Sequence, residues 1–161
     1  MWTTYLSQPL FLELNQVHLW FVDKKNHTNR ISNYWDVLDD LEREKASKFR
    51  FVKDFNCSII ARGVLRILLG KYLNMNPKDI KLKLGEFGKP SLESLNNIEF
   101  NVSHSANAIV LAFVRNDKIG VDIEHTKRSI DVNSIAKQFF SKEEVNALFS
   151  LDRKDQKQAF Y

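Results

Sequence analysis

With 161 residues, 43% hydrophobic and 12% aromatic, and with five glycines and three prolines, this chain can build one packed core; neither a disordered composition nor an internal repeat is visible. Its single cysteine, Cys57, excludes an intrachain disulfide, and no signal-peptide pattern or apolar run near the ~20 residues of a membrane span is present, so a cytoplasmic protein is expected. The net charge of +4 is uneven: residues 41–90 hold twelve Lys/Arg against five Asp/Glu, a basic block suited to nucleic acid, an acidic protein or a phosphorylated cofactor, or else a solvated helix face.

In chain order, residues 17–22 are rich in β-formers and read as a strand. Residues 36–49 read as a helix in which Leu38, Leu41 and Phe49 share a stripe, with Arg43, Lys45 and Lys48 beside it. The clearest helix covers 55–73: Ile60, Val64, Leu68 and Tyr72 recur every fourth residue, while Arg62 and Arg66 share another face. Asn74-Met75-Asn76-Pro77 ends it. Gly85-Glu86-Phe87-Gly88-Lys89-Pro90 is too short for a phosphate-binding P-loop, and Pro90 stands where a Ser/Thr would hold magnesium. It reads as a turn that offers backbone N–H groups and the Lys89 ammonium to an anion.

Ile98, Phe100 and Val102 alternate with polar residues and predict a half-buried strand ending near Ser103 and His104. Residues 108–114 are continuously apolar, which suits a strand buried on both faces or a short buried helix. Ile119, Val121 and Ile123 then predict a strand whose other face carries Gly120, Asp122 and Glu124. Two short helices are expected at 131–140 and 141–151, the second opened by a capping box of Ser141 and Glu144.

Carboxylates two apart on a strand start roughly 6–7 Å from one another, given a ~3.3 Å rise per residue. Asp122 and Glu124 are thus candidates to hold one hard cation, Mg²⁺ or Mn²⁺, with substrate phosphates filling other positions. Ser103-His104-Ser105 lacks the G-x-S-x-G elbow of a hydrolase, and neighbours on a strand face opposite ways, so phosphate hydrogen bonding suits it better than nucleophilic catalysis. His18, His27 and His125 show no metal-ligand spacing.

Taken in order, Gly88-Lys89-Pro90, Phe100-Asn101-x-Ser103-His104-Ser105, Gly120-Val121-Asp122-Ile123-Glu124 and Phe139-Phe140-Ser141-x-x-Glu144 resemble the motifs of the 4′-phosphopantetheinyl transferases of the surfactin-synthetase-activating (Sfp) type. Glu44-Lys45, Phe49-Arg50-Phe51 and Ala61-Arg62-Gly63-x-Leu65-Arg66 resemble that family's amino-terminal half. The resemblance implies an α+β fold with one complete half over 1–97 and an incomplete second half over 98–161. It implies transfer of phosphopantetheine from coenzyme A to a serine of an apo acyl or peptidyl carrier protein, by a monomer that needs neither nucleic acid nor membrane. Asp122 and Glu124 would then hold Mg²⁺, Lys45 and Arg62 would meet the 3′-phosphate, and Lys89, Ser103 and His104 would contact the nucleotide and its phosphates. The family continues past a pair like Phe160-Tyr161 into a W-x-x-K-E motif, whose Glu serves as base or metal ligand. With that Glu beyond Tyr161, impaired transfer is expected, the alternative being a non-catalytic coenzyme A or carrier-protein binding module. A nucleic-acid binder built on residues 41–90 ranks last, because it leaves Asp122 and Glu124 without a role.

Overall fold

The structure, a computed structural model, describes residues 8–85, 88–93, 97–126 and 131–161. They form an α+β fold, with strands β1 (Val17–Asp23), β2 (Leu82–Leu84), β3 (Pro90–Leu92), β4 (Ile98–Ser105) and β5 (Ala108–Arg115). The helices are α1 (Ile31–Val37), α2 (Asp40–Ser47), α3 (Val52–Leu73), α4 (Val132–Phe139), α5 (Lys142–Phe149) and α6 (Arg153–Phe160). A 3₁₀ helix, Lys24–Arg30, links β1 to α1. Two compact units result, one reaching Ile123 and the other running from Glu124 to Tyr161. The first unit extends well past residue 97 because β5 pairs with β1 and draws the β4–β5 hairpin into the same sheet.

That sheet is antiparallel in the order β1-β5-β4. Val22 lies opposite Ile109, His104 also lies opposite Ile109, and Phe100 lies opposite Phe113. Since side chains alternate along a strand, one face presents Trp20, Val22, Ile109, Leu111, Phe113, Phe100, Val102 and His104. All of these except His104 belong to the core built with α3. The continuously apolar run 108–114 is thereby settled as a central strand, buried on both faces.

Helix α3 carries the expected Ile60, Val64 and Leu68 in the core, but Ile59, Leu65 and Leu69 are buried too. It is enclosed on more than one side, by the sheet and by α1. The α1 contact is close: a Cβ added at Gly63 would sit 2.5 Å from Tyr34 Cβ and 2.7 Å from its Cδ1. Gly63→Ala should therefore destabilise the first unit by about 1–3 kcal/mol through overpacking, offset in part by the better helix propensity of alanine. Urea denaturation would read this, and a variant as stable as the parent would refute the close approach.

The expected helix at 36–49 is two helices. Asp39 accepts a hydrogen bond from Glu42 N (2.9 Å) while Glu42 Oε2 accepts one from Asp39 N (3.2 Å), a capping box that starts α2 afresh. The shared stripe fails with it: Leu38 is buried, whereas Leu41 is 77% and Phe49 43% exposed. The glycine turn does join a hairpin, β2 with β3, and Gly88 takes the left-handed φ of 73° that glycine adopts without strain. Glu86 and Phe87 lie outside the described residues.

Residues 119–123 are not a strand. Ile119, Val121 and Ile123 are half-buried and Gly120 and Asp122 exposed, so the alternation holds, yet no ladder forms. Side chains of β4 take up this segment's backbone donors instead, as described below. In the second unit the capping box of Ser141 and Glu144 opens α5, and α6 follows as a helix additional to the two expected. Phe140 stacks on Phe160 there at 5.3 Å between ring centres. Among the described residues no helix is long and apolar enough to cross a membrane.

Candidate functional site

Ser103 and His104 occupy the end of edge strand β4 and face opposite sides of the sheet. On the outer side, the Ser103 hydroxyl donates to Asp122 Oδ1 (2.6 Å) and accepts from Ile123 N (3.3 Å). Asn101 Oδ1, on the same side, accepts from Val121 N (3.0 Å), and Lys89 Nζ donates to the Ile119 carbonyl (2.9 Å). The polar face of β4 therefore holds residues 119–123 in an extended line through side chains rather than through a ladder. Three motifs distant in sequence meet here: the turn lysine, the strand-end serine and the aspartate.

Asp122 is exposed, and among the described residues no Lys or Arg pairs with it. Its carboxylate is a hard oxygen donor, held by Ser103 on one oxygen, which fits a magnesium ligand. Glu124 opens the second unit, exposed, with its Oε2 accepting from His125 N (3.3 Å). Among the described residues no three His, Cys, Asp or Glu side chains form a metal-binding cluster.

On the inner side, His104 lies at the exposed end of the core face. Strands β1 and β4 both run antiparallel to β5, so their carboxy-terminal ends lie together. This brings Lys24, just after β1, to the His104 end of the sheet, and the Lys24 backbone N–H bonds the Asn107 carbonyl (2.8 Å) in the β4–β5 turn. Cys57, near the start of α3, accepts a hydrogen bond from Lys24 Nζ (3.4 Å). The sequence reading missed Lys24 and assigned no role to Cys57. Nothing in the spacing of residues 24, 57 and 104 marks them as neighbours.

Lys45 is exposed on α2, and among the described residues no hydrogen bond or ion pair engages its ammonium. Arg62 is different. It and Arg66 share a face of α3, as the four-residue spacing requires, and both approach Glu42: Arg62 Nε lies 4.0 Å from Glu42 Oε1, and Arg66 Nε donates to Glu42 Oε2 (2.6 Å). Burial pulls the Arg62 guanidinium below its usual value, with Glu42 opposing that shift. Arg66 is fully buried and serves the fold. A cleft of about 290 Å³, lined by Leu10, Phe11, Lys71, Tyr72, Ile98 and Arg115, lies at the opposite end of β4 from His104 and shares no residue with this site.

Residues 25–116 match the family model described as 4′-phosphopantetheinyl transferase, N-terminal. The chain belongs to the 4′-phosphopantetheinyl transferase family. It is 31% identical over 163 residues to the 4′-phosphopantetheinyl transferase HetI of Nostoc sp. strain PCC 7120, covering 98% of this chain and 69% of that protein. It is 30% identical over 157 residues to the transferase Sfp of Bacillus subtilis strain 168, covering 98% and 62%. A third relative, the transferase ffp of Bacillus subtilis, is 36% identical over 120 residues, covering 74% of this chain and 52% of its own length. The chain thus spans between about half and two-thirds of the length of these relatives. Membership fits the Sfp-like motifs, two of which, the turn and the Ser-His strand end, fall inside the matched region.

Proposed function

We propose that this chain binds coenzyme A with Mg²⁺ and serves transfer of its 4′-phosphopantetheine group to a serine of an acyl or peptidyl carrier protein, as a cytoplasmic monomer. The observation that carries this reading is the Ser103–Asp122 hydrogen bond at the end of β4, which joins a phosphate-type donor to an exposed, uncompensated carboxylate. A ligand touching both Ser103 and His104 must lie across the strand end, because the two face opposite ways. A chain of several phosphates meets that demand better than a single compact anion.

In this reading Asp122 and Glu124 hold Mg²⁺, which supplies neutralisation of pyrophosphate charge and a fixed orientation for in-line displacement. His104 donates to phosphate oxygens, Ser103 joins it by turning its one hydroxyl proton from Asp122 to phosphate, and Lys89, held beside the segment by the Ile119 carbonyl, adds positive charge. Lys45, whose ammonium no other described residue engages, meets the 3′-phosphate, with Arg62 sharing that task while tethered to Glu42. The carrier serine oxygen forms a bond to the pantetheine-side phosphorus, the bond to the departing 3′,5′-ADP breaks, and the serine proton is released.

Calorimetry with coenzyme A, with and without Mg²⁺, tests the binding, and incubation with apo carrier protein followed by mass spectrometry tests the transfer. Mg²⁺-dependent binding and a carrier heavier by one phosphopantetheine are expected. No binding at millimolar coenzyme A would remove the reading.

A further inference from the structure

The cleft at the far end of β4 from His104 takes no part in the reading above, and its lining is of two kinds. Leu10, Phe11, Tyr72 and Ile98 give it an apolar wall, while Lys71 and Arg115 are its charged groups; among the described residues no acidic side chain lines it. Lys71 lies in the last turn of α3, and Arg115 ends β5 opposite Ile98 at the start of β4. The Leu10 N–H bonds the Lys71 carbonyl (3.1 Å) and fastens the segment around Leu10 to the helix end.

Three features make this a place for an anion with an apolar body. Among the described residues no ion pair or side-chain hydrogen bond engages the Lys71 ammonium or the Arg115 guanidinium, so both charges are available. The α3 pole here is negative and opposes an anion, but two full positive charges exceed its roughly half charge. Its carbonyls at Gly70 and Lys71 are moreover engaged by the N–H groups of Met75 (2.9 Å) and Leu10. The Tyr72 hydroxyl accepts from Trp20 Nε1 (3.0 Å) and shares a hydrogen bond with His18 Nδ1 (2.8 Å), so its ring is what Tyr72 offers the cleft. Phe11 stands 83% exposed beside that ring, an apolar surface that an occupant would cover.

We propose that this cleft binds a small amphipathic carboxylate, its head on Arg115 and Lys71 and its tail against Leu10, Phe11, Tyr72 and Ile98. The inference is independent of the coenzyme A reading, which uses the other end of β4. Size selects the ligand: about 290 Å³ equals the share of about ten waters, hence about ten non-hydrogen atoms, the size of an eight-carbon carboxylate. A compact anion would leave the apolar wall wet, and a neutral tail would leave both cations unused. A carboxylate also matches the planar fork of arginine.

Octanoate is titrated into the full chain by calorimetry and by NMR of the Leu10 and Ile98 methyl groups. A Kd of about 0.1–1 mM is expected, with shifts at both residues. Acetate and inorganic phosphate carry charge without the tail, and 1-octanol carries the tail without the charge; each should bind at least about tenfold more weakly. Arg115→Gln and Lys71→Gln should each weaken octanoate about five- to tenfold while helical signal and coenzyme A affinity stay unchanged. No octanoate binding at about 10 mM overturns the site. Equal affinity for octanol, acetate or phosphate, or glutamine variants that bind octanoate as the parent does, overturns recognition of an amphipathic carboxylate. Loss of coenzyme A binding with octanoate binding retained removes the earlier reading and leaves this one standing.

Discussion

Replacing Arg66 with alanine is expected to destabilise the first unit by about 3–5 kcal/mol, the range for removing one partner of a buried ion pair. The guanidinium is fully buried on α3 and uses its donors on four separate partners. It pairs with Asp39 through Nη2, donates to Glu42 through Nε (2.6 Å), and donates through Nη1 to the carbonyls of Pro77 (3.1 Å) and Ile80 (3.0 Å). Truncation would leave Glu42, whose side chain is only 12% exposed, facing Arg62 alone across 4.0 Å. Glu42 Oε1 already lacks a hydrogen bond among the described residues, so the carboxylate would lose its best partner with no replacement. The buried Ile80 carbonyl and the part-buried Pro77 carbonyl would lose a donor as well.

The consequence reaches beyond one ion pair, because Asp39 and Glu42 also form the capping box that starts α2, the helix carrying Lys45. Arg66→Lys keeps the charge but loses the planar fork, so it should recover only part of the loss. Urea denaturation gives the ranking directly: parent, then lysine, then alanine. An alanine variant within 1 kcal/mol of the parent would mean that the cluster relaxes and the guanidinium is dispensable.

The sequence disclosed what depends on local period and hid what depends on side-chain capture. Ile98, Phe100 and Val102, and the four-residue spacing of Ile60, Val64 and Leu68, predict their elements because burial on one face is written into alternation or helical repeat. The break after Val37 was also legible, in Asp39 and Glu42 three residues apart, but the apolar residues at 38, 41 and 49 imitate a single stripe and masked it. Residues 119–123 alternate as a strand would, yet whether a segment joins a ladder depends on its neighbour's free edge and on competing donors and acceptors. Here Asn101 and Ser103 supply acceptors through side chains, which periodicity does not report. The site was read piecewise in the same way. Motif order groups Lys89, Ser103 and Asp122, and hydrogen bonds gather them along residues 119–123, whereas Cys57 beside Lys24 is a product of strand register and helix placement alone.

Asp122→Asn should leave the fold unchanged and reduce Mg²⁺-dependent coenzyme A binding about a hundredfold or more, the scale of several kcal/mol expected when a metal's anionic ligand is neutralised. The substitution is close to isosteric, and an amide oxygen still accepts from Ser103, so the line from Ile119 to Ile123 keeps its anchors at Asn101 and Ser103. What disappears is the negative charge. Ser103→Ala makes the opposite change, removing the anchor while leaving the charge, and its cost is that of an exposed hydrogen bond, about 1 kcal/mol or roughly fivefold. The order of the two effects separates a metal-binding carboxylate from a merely structural one. If Asp122 serves only to fix the segment, Ser103→Ala will match or exceed Asp122→Asn, and neither will depend on Mg²⁺. If Asp122 binds the cation, the asparagine variant will lose the Mg²⁺ dependence and keep only the weak, metal-independent affinity that Lys89, Ser103 and His104 give to the phosphates.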